Sequence, residues 1–357
     1  LLWTDMAVFA LVIGGMLAIW RISKKKHLRE PWSEVFNRPM GAISFTVILA
    51  FLLIGLLDST RLRYHDVLPN GEVNEHASLL SVLDIMLTPL RLQTEKTYSK
   101  PFAHTAYAKE MSTDAEGVTR WLYPRLTHGG AHLANPSVDK KSDIFVKTIQ
   151  GLGYGFLAWA VLFLMIKFLS KRTEVFQSKA LKYSLLTTLG IFCLVGVFAT
   201  LGPYYHILGT DKVGEDVLYQ TIKSIRTGLV IGALTTIVML PIAITLGLMA
   251  GFFRGWVDDV IQYLYTTLSS IPGVLLIAAT ILMAQVYMAN NPELFTTVED
   301  RADMRLLLLC VILGMTSWTG LCRLLRAETL KIREMEYVVA SRALGVERLT
   351  VLKRHVL

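Results

Sequence analysis

The chain has 357 residues, of which 53% are apolar and 18% are charged, and its mean hydropathy is +0.47. Soluble domains are usually about 45–50% apolar and about 25% charged, so this composition excludes a soluble protein and indicates an integral membrane protein. The net charge of +8 does not indicate nucleic-acid binding, because lysines and arginines concentrate in short loops between apolar segments, where they fix the orientation of a membrane protein.

Seven apolar segments are long enough to cross a bilayer, since about 20 helical residues span roughly 30 Å of hydrocarbon. Lysine and arginine enrich the loops after the first, third and seventh segments, which predicts that these loops are cytoplasmic and the N-terminus is outside. The pattern predicts an all-α integral membrane protein, a polytopic helical bundle. The predicted crossings are 3–20, 42–57, 152–169, 184–202, 226–250, 262–289 and 305–322.

The crossings divide the chain into four predicted parts. Residues 1–57 hold two transmembrane helices joined by a cytoplasmic basic loop, and residues 58–151 form a polar insert on the outer face. Two further crossings occupy 152–202, and 203–357 holds the last three crossings with a cytoplasmic tail at 323–357. The insert is long enough for a small folded unit, and it balances its basic residues with as many acidic ones.

A turn-rich block connects the fourth and fifth predicted crossings on the outer side. Glycine, aspartate and threonine all favour turns, so a plain connector is one interpretation. A phosphate-binding loop is excluded, because Glu215 stands where a lysine would have to reach the phosphates. The outer block contains Gly209, Thr210, Asp211, Gly214 and Asp216.

The sixth predicted crossing contains Pro272. Proline removes one backbone hydrogen bond, so we expect the helix to bend there. A bent helix can rock or line a pathway, or it can be passive packing, and the sequence leaves both interpretations open.

The tail after the seventh crossing combines helical spacing with a glycine break. Apolar residues at Leu330, Met335, Val338 and Val339 recur at roughly helical spacing, and Gly345 ends the pattern. Two short helices with a glycine elbow would form a protruding knob; a basic amphipathic helix lying on the inner leaflet is the alternative. The candidate coupling residues are Glu336, Tyr337, Val338, Ala340, Ser341, Arg342, Ala343, Leu344, Gly345 and His355.

Both blocks are similar to those of one family. The tail resembles the cytoplasmic EAA loop of the dipeptide, oligopeptide and nickel permeases of ABC importers, with His355 at the expected distance and Ser341 in place of the usual alanine. The outer block resembles the family's His-Pro-Leu-Gly-Thr-Asp-x-x-Gly-Arg-Asp stretch, except that Ile207 replaces the proline and Glu215 replaces the arginine.

The resemblance covers about 204–357 and implies a permease subunit of an ATP-driven importer for peptides or similar small solutes. Such a subunit forms half of a translocation pathway, pairs with a second permease, receives solute from an extracytoplasmic solute-binding protein and touches ABC ATPase subunits through the EAA loop. It is a multi-pass protein of the bacterial inner membrane and works within the lipid bilayer. In the family two more crossings follow the EAA loop, so we expect the chain to be truncated.

We expect no catalytic residues and no cofactor in this chain, with ATP and magnesium on a partner ATPase. No metal site is predicted either, because the three cysteines lie in or beside apolar segments and the glycines between His128 and His132 oppose the helix that would bring them together. The alternative function is a membrane-anchored receptor or enzyme that acts through the 58–151 domain. An ion-coupled carrier is disfavoured, because the crossings carry few charges.

Overall fold

The computed structural model describes residues 3–64, 78–113, 119–169, 179–291, 293 and 298–352. Helices dominate these residues, and the described strands form two small antiparallel pairs, β1 with β2 and β3 with β4. The longer helices are α1 (Trp3–Lys24), α2 (Lys26–Asn37), α3 (Pro39–Ser59), α6 (Pro136–Leu169), α7 (Lys179–Leu201), α8 (Val217–Phe253), α9 (Trp256–Ser270), α10 (Gly273–Asn290) and α11 (Val298–Arg333). The short elements are β1 (Arg61–Tyr64), β2 (Ser78–Ser81), α4 (Val82–Met86), α5 (Thr88–Arg91), β3 (Glu110–Thr113), β4 (Thr119–Leu122), α12 (Glu336–Ala343) and α13 (Arg348–Val351).

Seven of the described helices are long and apolar enough to cross a membrane, namely α1, α3, α6, α7, α8, α10 and α11. The prediction of an all-α polytopic membrane protein is therefore confirmed. Several helices extend beyond the predicted crossings, because a helix continues as long as its backbone hydrogen bonds do and not only while its side chains are apolar. Helix α6, for example, begins at Pro136, within the segment assigned to the insert.

The sixth predicted crossing is two helices rather than one bent helix. Helix α9 ends at Ser270 and α10 begins at Gly273. Between them, Ile271 and Pro272 have extended backbones, because a residue before proline avoids the helical conformation. Pro272 is therefore a helix boundary and not a bend, which corrects our expectation, and of these two helices only α10 is a candidate span.

The chain forms two compact units. The insert unit comprises Val12–Thr227, and the terminal unit comprises Leu1–Leu11 with Gly228–Leu357. Each unit has its own buried apolar residues: a cluster around Leu201 and Tyr205 in the insert unit, and one around Ala243 in the terminal unit.

Helices α6 and α7 of the insert unit pack closely through glycines. A Cβ added at Gly196 would lie 2.3 Å from the carbonyl oxygen of Gly151, and one at Gly155 would lie 2.4 Å from a backbone oxygen of α7. Helix backbones approach this closely only where side chains are absent. Trp159 also joins the two helices, because its ring N–H donates to the Leu185 carbonyl at 3.1 Å.

The insert is attached to the end of α3 and the start of α8. Ser81 and Asp84 form a capping box at the start of α4. The Asp84 carboxylate also accepts hydrogen bonds from the Tyr219 hydroxyl at 2.7 Å and the Lys223 ammonium at 2.8 Å, and that ammonium lies 3.8 Å from Asp58. Burial on its own raises the pKa of Asp84, but the hydrogen bonds outweigh it and lower the pKa to about 2.

Helices α8 and α11 of the terminal unit also pack through small residues. A Cβ at Gly314 would lie 2.6 Å from the Cβ of Val238, and one at Gly247 would lie 2.8 Å from a side chain of α11. The start of α1 belongs to the same unit, because the Thr4 backbone N–H donates to the Asp303 carboxylate at 3.2 Å. Helix α11 therefore connects the first turn of the chain with its C-terminal segment.

Candidate functional site

The candidate coupling residues lie in a small projection after the last long helix. Helix α11 ends at Arg333, a short turn leads into α12, and α13 follows. Gly345 has φ +81°, a left-handed conformation that glycine adopts without strain and that ends α12. Residues 334–352, which we call the knob, thus contain the predicted pair of short helices with a glycine elbow.

Two valines hold the knob against the ends of α8 and α11. Val338 of α12 and Val351 of α13 are fully buried and pack with Phe252, while Ile332 and Leu352 contribute from the edge of the cluster. Burying an aliphatic side chain completely stabilises a fold by about 1.5–3 kcal/mol. The knob is therefore a fixed extension of two long helices.

Charged groups reinforce the base of the knob. Arg333 donates to the Phe252 carbonyl at 2.9 Å, which ties the end of α11 to the end of α8. Earlier on α11, Arg326 donates from Nε and Nη2 to the two carboxylate oxygens of Asp258 at 2.6 and 2.7 Å. This hydrogen bonding lowers the pKa of Asp258 below its ordinary value. Helices α8, α9 and α11 are thus connected directly beneath the knob.

Most of the candidate coupling residues face outward, and Leu344 is 84% exposed. Val338 is the exception, since it is buried and positions α12 instead of forming its surface. Ser341 is half-buried, and its hydroxyl donates to the Tyr337 carbonyl at 2.8 Å. His355 lies outside the described residues. The exposed candidates are Glu336, Tyr337, Ala340, Arg342, Ala343, Leu344 and Gly345.

In the insert unit, the outer block is organised around His206. This side chain is fully buried, with Nδ1 2.7 Å from Asp216 Oδ2 and Nε2 3.4 Å from Glu95 Oε1. Burial on its own lowers the pKa of His206, but the two carboxylates outweigh it and raise the pKa to about 9. The imidazole is therefore charged at neutral pH and joins the outer block to the insert.

Glu95 of the insert connects His206 with a second loop. Its carboxylate accepts backbone hydrogen bonds from Thr127 at 2.9 Å, His128 at 2.8 Å and Gly129 at 3.2 Å, and one from the Thr127 hydroxyl at 2.7 Å. Burial on its own raises the pKa of Glu95, but the hydrogen bonds from His206, Thr127 and His128 hold it far below its usual range. One buried carboxylate thus organises two loops of the insert unit.

The remaining residues of the outer block also contact the insert or shape the block. Gly209 and Gly214 both have positive φ. A Cβ at Gly209 would lie 2.4 Å from the Ser99 carbonyl oxygen, and a Cβ at Gly214 would lie 1.8 Å from the Glu95 carbonyl oxygen. The Thr210 hydroxyl donates to the Thr97 carbonyl at 2.8 Å, and Asp211 accepts two backbone N–H groups of the block at 2.9 Å. The five predicted residues are therefore brought together in one block that contacts the insert.

Neither Glu95 nor Arg125 is among the residues predicted from the sequence. Arg125 donates to three backbone carbonyls of the 130–133 turn, two of them at 3.3 Å. Nothing beside Glu95 or Arg125 in the sequence indicates these partners, because the contacts depend on how the loops fold. His132, considered above as a metal ligand, instead lies 2.8 Å from the Asp143 carboxylate.

Residues 243–357 match the family described as binding-protein-dependent transport system inner membrane component. This range contains α10, α11 and the knob, so the resemblance predicted from the tail is confirmed. Together with the seven apolar helices, the match shows a multi-pass protein of the bacterial inner membrane.

Three relatives show how far the similarity extends. The chain is 30% identical over 152 residues to the glutathione transport system permease protein GsiD of Pectobacterium atrosepticum. These residues make up 43% of this chain and 44% of the relative. It is 26% identical over 212 residues to the oligopeptide transport system permease protein OppC of Mycobacterium bovis, 54% of this chain and 67% of the relative. It is 36% identical over 152 residues to the peptidoglycan transport system permease protein YejE of Agrobacterium fabrum, 42% of this chain and 35% of the relative. The chain thus spans less than half the length of the first and third relatives.

Proposed function

We propose that this chain, which belongs over residues 243–357 to the family of binding-protein-dependent transport system inner membrane components, is a permease subunit of an ATP-driven importer. It forms half of a translocation pathway with a second permease, and ATP and magnesium bind to separate ATPase subunits. The names of its relatives, which are glutathione, oligopeptide and peptidoglycan permeases, support peptides or similar small solutes as the cargo.

The observation that carries this proposal is the construction of the knob. Glu336, Tyr337 and Leu344 are exposed, whereas Val338 and Val351 are buried against the ends of α8 and α11. A partner that pushes on the exposed side therefore moves two long apolar helices without first deforming the knob. A surface helix that only rests on a lipid leaflet needs no such attachment to two membrane helices.

Coupling of this kind is mechanical. Two ATPase domains close on ATP and open after hydrolysis, and the permease pair follows between two packed states rather than deforming continuously. An extracytoplasmic solute-binding protein delivers the cargo on the other side. Because His206 and Thr210 bond the outer block to the insert, we propose that the block holds the insert in place. The surface of the insert, together with the exposed part of the block, then meets that protein.

Photo-crosslinking of the full-length protein in native membranes tests the proposal. A photoreactive amino acid replaces Glu336 or Leu344, the complex is purified in mild detergent, and crosslinked chains are identified by mass spectrometry. Glu328 is the matched control, because it is an exposed carboxylate of α11 that lies outside the knob and pairs with Lys331 at 2.8 Å.

We expect an ATPase subunit to be crosslinked at positions 336 and 344 and not at 328, with a second permease in the same purified complex. Crosslinks to lipid alone at 336 and 344 would contradict the coupling role. The alternative of a receptor or enzyme that acts through the insert would then take its place.

A further inference from the structure

An apolar groove runs along the segment between the first two membrane helices of the chain, within the insert unit. Its volume is about 580 Å³. Phe36 anchors α2 to α3 in an edge-to-face contact with Phe45 at 4.9 Å and stacks with Trp32 at 6.1 Å. The groove is therefore held open by packed rings. Its apolar lining comprises Ala18, Ile19 and Ile22 of α1, Trp32 and Phe36 of α2, and Phe45 of α3.

The turn between α2 and α3 fixes the position of the amphipathic helix α2. A Cβ at Gly41 would lie 2.1 Å from the Val35 carbonyl oxygen, so the two helices meet with no room for a side chain. The insert is attached at the other end of α3, through Asp58. The groove thus lies at the end of α3 opposite the insert, on the side that the basic loop predicts to be cytoplasmic.

Basic and polar groups surround one end of this groove. Arg29 is exposed and lines it together with Ser23 and Ser33. Lys24 lies over the ring of Trp20 at 3.6 Å, and tryptophan is enriched at the level of the lipid head groups. Exposed basic residues continue through the same stretch, namely Arg21, Lys24, Lys25, Lys26 and Arg29. Clusters of four or more lysines and arginines at the cytoplasmic end of a membrane helix attract anionic lipids.

We propose that this groove binds an anionic phospholipid of the inner leaflet. One acyl chain lies along the apolar lining, and the phosphate contacts Arg29, with the neighbouring lysines providing a positive field. The site combines an apolar channel with a basic end, which is the charge and polarity pattern of such a lipid and of neither a neutral phospholipid nor a free phosphate ion. This inference does not depend on ATPase coupling, because it concerns residues of the insert unit.

Two pairs of variants of the full-length protein test the site. Gly15 lines the groove and Gly14 does not, and a Cβ on either would meet no heavy atom within 4 Å among the described residues. The Cβ of a Gly15→Leu variant is therefore accommodated, its side chain extends into the groove, and Gly14→Leu is the control. Arg29→Gln removes the proposed phosphate contact, and its control is Arg38→Gln, a residue outside the groove that pairs with Glu34 at 3.6 Å.

The purified protein is stripped of lipid and titrated with phosphatidylglycerol or phosphatidylethanolamine, and the bound lipid is counted by native mass spectrometry. We expect Gly15→Leu to weaken phosphatidylglycerol binding roughly tenfold, because the leucine displaces two or so methylenes of the acyl chain. We expect Arg29→Gln to weaken it about fivefold. Neither control should change binding by more than about twofold.

Several results would overturn the proposal. Equal phosphatidylglycerol binding by the Gly14→Leu and Gly15→Leu variants would show that lipid does not enter the groove. Equal binding of phosphatidylethanolamine would remove the role of charge, and displacement of the lipid by inorganic phosphate would reduce the site to an anion site. Crosslinking from position 18 to another protein in native membranes would show that a protein segment is the occupant.

Discussion

Thr329 of α11 lies against Gly251 of α8 with no room for a side chain between them. A Cβ at Gly251 would lie 2.6 Å from the Thr329 Cβ, well inside the contact distance of about 3.5–4.0 Å between carbon atoms. Thr329 is almost fully buried, and its hydroxyl donates to the Leu325 carbonyl at 2.7 Å. Because Phe252 follows Gly251 directly and packs against the knob, this contact sets the spacing of the two helices that hold the knob.

The first prediction concerns this contact. Gly251→Val should destabilise the protein by about 1–3 kcal/mol, because the added methyl groups overpack the interface between α8 and α11. Its melting temperature in detergent should fall accordingly. Gly320→Val is the control, since a Cβ at Gly320 would meet no heavy atom within 4 Å among the described residues. Equal melting temperatures for the two variants would show that the close approach has no energetic consequence.

The second prediction concerns the ion pair beneath the knob. Asp258→Asn should lower stability by about 1.5–3 kcal/mol, because it leaves Arg326, three-quarters buried, without its charged acceptor. The exposed pair of Arg254 with Glu334 at 3.2 Å offers a control. Arg254→Gln should change stability by less than about 1 kcal/mol, because solvent screens exposed ion pairs. Thermal unfolding followed by tryptophan fluorescence distinguishes the two outcomes, and an unchanged Asp258→Asn variant would refute the prediction.

The third prediction is a loss of stability of the insert at alkaline pH. The folded-state pKa of His206, about 9, is raised above its ordinary value of 6.5. The stability that charged His206 gives to the folded insert is therefore complete below about pH 6.5 and is lost as the pH rises through about 9. Glu95, whose pKa is lowered, contributes fully above its ordinary value of 4.5 and loses its contribution only as the pH falls through its depressed folded value. Hydrogen exchange of residues 95–133, corrected for intrinsic rates, should thus show less protection at pH 9.5 than at pH 6.5.

A variant isolates the group responsible for this pH dependence. His206→Gln keeps a polar side chain but cannot be charged, so its insert should be less protected at pH 6.5 and should not weaken further up to pH 9.5. If the variant retained the alkaline loss of protection, another titrating group would have to cause it.

The fourth prediction separates transport from ATP hydrolysis. Gly345→Pro should break the elbow, because proline fixes φ near −65° whereas Gly345 has φ +81°. Glu336→Lys should reverse the charge that this exposed residue presents to the ATPase. Both variants should insert into the membrane normally, and reconstituted complexes should hydrolyse ATP with at least about tenfold less transport per ATP. Glu328→Lys on α11 should transport normally, and normal transport by both knob variants would exclude the coupling role.

Local sequence alone determined the features that depend on local physics. Hydrocarbon thickness dictates how long an apolar helix must be, so the crossings were visible as runs of apolar residues, and α1, α3 and α7 lie where those runs predict. The elbow at Gly345 was visible for a similar reason, because a left-handed residue at a helix end is usually glycine. Such signals lie within a few residues of the structure they produce.

Only the tertiary structure decided which side chains meet. Glu95 and His206 are 111 positions apart, and nothing near either residue indicates the other. The burial of Val338 depends on Phe252 and Val351, which lie on other helices. The composition of a segment indicates whether it lies in lipid or in water. The side chains that it contacts depend on how elements from distant parts of the chain pack and pair their charges.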